Sequence, residues 1–168
     1  FTTNDVQRLP LPRPANYDAA QYELLARYLE ALVASGQTPR LSQFWNPIWM
    51  PNGKTDINNN GGFSTDFIGA NYGYPNGDYA TRARIWQEHT DYIRGFVYFL
   101  ATSPRVPENL KREMKEWGPA KDEFVATGGW PHQLYVREAR RMVSDYVMTE
   151  HNCRGTMTAG DPVSLAAY

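Results

Sequence analysis

The sequence holds little that would fix a function at first sight. It has one cysteine, Cys153, so no internal disulfide framework can form. Its three histidines, His89, His132 and His151, are far apart, and none stands in a His-x-x-x-His or Cys-x-x-Cys pair. No metal site is therefore expected from local spacing. No apolar run approaches the roughly 18–20 residues of a membrane span. The formal net charge is −1, which supplies no global basic field. Nucleic acid and membrane are accordingly not expected partners. There is no Gly-x-Gly-x-x-Gly turn after a strand, no phosphate loop and no Gly-x-Ser-x-Gly elbow. The first residues lack the basic start and apolar stretch of a signal peptide. The chain opens on Phe1 rather than Met, and we expect an internal piece whose natural N-terminus lies elsewhere.

The chain is rich in aromatic residues. They make up 14% of 168 residues, with five Trp and eleven Tyr. Such side chains suit cores and ligand-facing walls equally, because each has an apolar body and many carry a polar edge. The length is enough for one domain with a sizeable core, and we expect a single domain over residues 1–168.

Pro10, Pro12 and Pro14 make residues 1–17 an extended, surface-lying lead-in. Asp18 then offers an N-cap. Tyr22, Leu25, Tyr28 or Leu29, Leu32 and Val33 recur at helical spacing, and Gly36 is a stop. Residues 37–77 read as a long ordered loop with a turn at Pro51–Asn52–Gly53. Asp78 caps a second helix over Tyr79–Thr102, with Ile85, His89, Tyr92, Ile93, Phe96, Phe99 and Leu100 on one face. Pro107 opens a third helix over 107–117, ended by Gly118–Pro119. Residues 133–149 fit a helix by period and a strand by composition. The tail, 155–168, has no terminating logic and reads as truncated. The fold class expected is α+β, helix-rich, with a few strands.

Three features could carry chemistry. The Asn58–Asp66 loop sets amides and hydroxyls beside glycines, which lets a polar ligand approach closely. The alternative is a turn whose side chains bond its own backbone. Arg137 and Arg141 share a face whether the run Arg137–Arg141 is helical or extended, so they could act together on an anion. The alternative is a solvated face with a Glu–Arg pair. His132 follows Trp130–Pro131 in a loop, where it is either a proton-transfer group or simply exposed. His89, on the apolar face of the second helix, reads as a hydrogen-bonded core histidine.

Longer stretches add a resemblance. Lys54 to Gly69 (KTDINNNGGFSTDFIG), Arg105–Val106–Pro107, Trp117–Gly118 and Gly128 to Met142 (GGWPHQLYVREARRM) occur in this order. Together they resemble a family of FAD-dependent oxidoreductases, some of which carry a xanthan lyase label. The resemblance runs over essentially the whole chain. It implies that FAD belongs to the parent protein, with the dinucleotide-binding glycine motif upstream of residue 1 and a second flavin-contacting segment beyond residue 168. This chain would then be the internal, substrate-side cap segment, inactive when isolated and partnered by the rest of the flavoprotein chain. It also implies a more strand-like 133–149. The flavin would accept a hydride equivalent from a small-molecule or carbohydrate-like substrate. On this reading Asn59, Asn60, Ser64 and Asp66 face the substrate or flavin edge. Arg137 and Arg141 orient an anionic or polyhydroxyl group, and His132 or Tyr135 moves a proton. The competing class is a carbohydrate-binding or polysaccharide-processing module, suggested by Trp and Tyr beside Asn and Asp.

Overall fold

The computed structural model describes residues 1–136, 140–162 and 164. They form two compact units, Phe1–Arg137 and Glu138–Tyr168. The architecture is α+β and helix-rich, as expected.

Three helices build the core of the first unit. Asp18 accepts a hydrogen bond from the Ala20 amide at 2.9 Å and starts a 3₁₀ turn that runs into α1, Glu23–Ala34. Leu29 takes the inward place, while Tyr28 and Val33 lie partly in solvent. Gly36, at φ 78°, lets the chain leave the helix. Asp78 accepts from the Thr81 amide at 2.8 Å and opens α2, Tyr79–Thr102. Its buried face carries Ile85, His89, Phe96, Phe99 and Leu100. Pro107 precedes α3, Glu108–Lys115, and Leu110 and Met114 join the same core. Each such side chain, fully buried, stabilises the fold by about 1.5–3 kcal/mol.

Two contacts fix how α1 meets its neighbours. A Cβ at Gly95 would lie 2.2 Å from the Tyr22 hydroxyl, so only glycine allows this approach. The hydroxyl donates to the Tyr92 carbonyl at 2.8 Å, and burial pushes its pKa up. On the outside, Arg105 pairs with Glu23 and grips both carboxylate oxygens of Glu30, at 2.7 and 3.0 Å.

The region 37–77 departs from the loop expected there. It contains a hairpin, β1 Asn46–Met50 against β2 Lys54–Asn58, antiparallel with Trp49 opposite Thr55. The turn at Pro51–Gly53 uses positive φ at Asn52 and Gly53. Pro47 hides β1 in the sequence, because proline lacks the donor a central strand needs, although an edge strand tolerates it.

The lead-in also differs from expectation at its start. Thr2 is fully buried and bridges to Gly118, while Arg8 bridges to Ala120. Phe1 sits edge-on to Trp45 at 5.0 Å and to Trp130 at 5.4 Å. The described part of 133–149 is neither helix nor strand. Met142 and Val143 are exposed, and a short apolar period with nothing to pack against does not hold a helix. In the second unit α4, Glu150–Cys153, is one turn, started by the Asn152 side chain accepting from the Thr149 amide at 2.9 Å.

Candidate functional site: an aromatic groove beside α2

The Asn-rich loop is held by its own side chains. Asn59 donates to the Asp66 carboxylate at 2.7 Å, and its amide donates to Asn58 Oδ1 at 2.8 Å. Asn60 donates to the Ser42 carbonyl. Ser64 is buried, and its hydroxyl accepts from the Asp66 amide at 3.1 Å. Tyr92 of α2 donates to the Ser64 carbonyl at 3.2 Å, and Phe67 stacks on its ring at 4.3 Å. Burial first, and then the Asp66 charge, push the Tyr92 pKa up to about 12. Asn59, Asn60, Ser64 and Asp66 are thus brought together, and the polar contacts they make are with this loop, with Ser42 and with α2. His89 packs nearby as a core histidine, Nδ1 at 2.8 Å from the Ile85 carbonyl and its ring edge-on to Phe67.

A second assembly lies along α2. Gly128 and Gly129 both have positive φ and turn the chain toward it. A Cβ at Gly129 would come within 2.8 Å of Leu9 Cδ1 and Pro119 Cβ, so the close approach demands glycine. Trp130 follows, its carbonyl accepting from Thr127 Oγ1 at 2.5 Å, and its ring lies under the Arg94 guanidinium at 5.1 Å. The chain continues as one wall of an open groove of about 530 Å³. Tyr74, Trp86, His132, Gln133, Leu134, Tyr135 and Val136 line it. Arg82 steadies Tyr74: it lies over the ring at 5.6 Å and donates to the Tyr74 and Pro75 carbonyls at 3.1 and 2.9 Å. His132 rests edge-on to Phe124 at 6.2 Å.

The groove therefore gathers His132 and Tyr135, which the sequence singled out, with Tyr74 and Trp86, which it did not. The signal for Trp86 was the four-residue spacing of Trp86, Thr90 and Arg94, a stripe beside the apolar face of α2. Arg141 is exposed in the second unit. Arg137 lies outside the described residues. Among the described residues no group of His, Cys, Asp and Glu could hold a metal ion. No helix among them is long and apolar enough to cross a membrane.

Fold and groove together define a helix-rich α+β segment with a wide aromatic recess and two titratable groups on its rim. The sequence pattern of the FAD dependent oxidoreductase family matches residues 1–168, and the chain belongs to that family. No curated protein and no solved structure matches it.

The family implies FAD, yet the helix starts of the first unit do not fit its pyrophosphate. A pyrophosphate is usually held by free amides at a helix N-terminus. The Asp78 carboxylate occupies that position on α2, Asp18 occupies it on the turn leading into α1, and α3 starts with Pro107 and Glu108. Carboxylates there repel a phosphate as well as taking its donors. The described sheet is an antiparallel hairpin, without the parallel strand–turn–helix such a site is built on.

Proposed function

We propose that this chain is the substrate-facing part of an FAD-dependent oxidoreductase, and that the groove beside α2 receives the substrate. The carrying observation is that Tyr74, Trp86, His132 and Tyr135 line one groove of about 530 Å³. That volume falls within the range of small-molecule sites. Trp86 and Tyr74 offer flat apolar surface to the substrate body. His132 and Tyr135 offer an imidazole and a phenol at the rim, the groups that would take or give the proton accompanying a redox step. FAD is held elsewhere in the flavoprotein, and this segment's part is to bind and orient the substrate. Arg141, in the second unit, is proposed independently of the groove as a contact to an anionic or polyhydroxyl group. The family match gives no support to a carbohydrate-processing module.

The test uses the flavin-loaded enzyme. Substrate-driven bleaching of the flavin in His132→Gln and Tyr135→Phe should slow at saturating substrate, with flavin content unchanged. Trp86→Ala should raise the substrate concentration needed. Unchanged rates in both rim variants would remove the proton-transfer role, and an unchanged concentration dependence would remove the groove. Arg141→Ala, read on the same assay, tests that arginine. Mixed with FAD and dialysed, the 168-residue chain should retain no flavin; tight retention would overturn the placement of the cofactor.

A further inference from the structure

We infer that Arg82 is a positioning residue: it fixes where Tyr74 stands relative to Trp86 and thereby sets how tightly the groove holds a flat ligand. The inference rests on the groove reading above. Tyr74 is the residue that the turn 71–77 contributes to the lining, and Trp86 is the one from α2. Arg82 and Trp86 stand four residues apart on that helix, so they share a face, about 6 Å apart along its axis. A side chain that ties the turn to this face therefore holds one wall of the groove against the other.

Arg82 meets the turn in three places. Its Nε donates to the Tyr74 carbonyl at 3.1 Å, its Nη2 donates to the Pro75 carbonyl at 2.9 Å, and the guanidinium carbon lies 5.6 Å from the Tyr74 ring centroid. One half-buried side chain thus holds both the backbone and the ring of Tyr74. Hydrogen bonds from a charged donor are the stronger kind, and the ring adds a cation–π attraction. The base of the turn is seated separately. A Cβ at Gly77 would lie 2.9 Å from the Gly73 carbonyl oxygen and from Thr81 Cγ2, so the turn packs closely on the start of α2 there. Arg84 shows the contrast: it pairs with Glu88 on its own helix, an ion pair that spans one element. A ring held in place before a ligand arrives spares the ligand the entropy loss of ordering it. Arg82 therefore acts on affinity through Tyr74, without being part of the lining.

The experiment uses the full chain and one flat, uncharged probe, 2-naphthalenemethanol, followed by titration calorimetry. Trp86→Ala should weaken binding, which locates the probe in the groove. Arg82→Met should weaken it about fivefold. Tyr74→Ala should weaken it at least as much, and adding Arg82→Met to Tyr74→Ala should change nothing further. Arg82→Lys keeps a cation but loses the paired donors, and its affinity should fall between the native chain and Arg82→Met. Asp78→Ala removes the cap at the same end of α2; it should lower the unfolding midpoint and leave the affinity unchanged. Circular dichroism checks that each variant folds. Unchanged affinity in Arg82→Met, or a further loss when it is added to Tyr74→Ala, overturns the positioning role and leaves the groove standing. Equal weakening by Asp78→Ala and Arg82→Met overturns it as well, since the effect would then be one of general stability. If the probe does not bind, or binds regardless of Trp86, groove and positioning role fall together.

Discussion

The loop at 58–66 and the stretch at 128–136 look alike in sequence, each a Gly–Gly pair with aromatic and polar residues, yet they are packed differently. In the first, Asn59, Asn60, Ser64 and Asp66 bond one another, Ser42 and α2. In the second, His132 and Tyr135 rim an open groove. Composition marks where polar groups are. Only the packed chain says which of them bond within a loop and which line a groove.

Substitutions can break or sharpen this contrast. The largest effect is expected at Gly129→Ala. It combines a positive φ with a Cβ packed against Leu9 and Pro119, and should cost about 2–4 kcal/mol in urea unfolding. A neutral result would mean that segment 130–136 is not seated as described. Tyr92→Phe comes next, with a loss of about 0.5–1.5 kcal/mol. Faster amide exchange confined to 59–67 should accompany it; uniform exchange would detach the loop from α2.

The same tyrosine carries a pH signature. Its pKa lies near 12 when folded and near 10.0 by its ordinary value, so the unfolded chain loses the proton first. Stability should therefore fall as pH rises from about 10 to about 12, and less steeply in Tyr92→Phe. Identical alkaline profiles would show that Tyr92 is not buried. Smaller still, Asn59→Ala should change stability by less than about 0.5 kcal/mol, since the bond lost is exposed. The smallest effect is expected at His132→Ala, which should leave the unfolding midpoint unchanged. A clear loss there would make His132 a packing residue.

The helices were legible because period and punctuation agree. Asp18, Asp78, Pro107 and Gly36 mark ends, and most of the apolar repeats between them are buried, with Val33 and Ile93 among the exceptions. The hairpin was not, since Pro47 and the run Asp56, Asn58, Asn59 mask any alternation. Half of the groove was legible: a loop histidine and tyrosine invite attention in sequence. Trp86 and Tyr74 did not, because what joins them to residues 132–136 is packing between segments far apart in the chain.

The Arg105 clamp has a consequence for how the first helix can move. Glu23 and Glu30 are two turns apart on α1, and one guanidinium beyond α2 holds both. Two grips along one cylinder stop it from rolling about its own axis, whereas one would only tether it. Arg105 holds both carboxyls below their usual range. Acid strong enough to protonate them therefore frees the roll of α1 while leaving its buried leucines in place. The Tyr22 and Tyr28 rings would register that slip before the helix content changed.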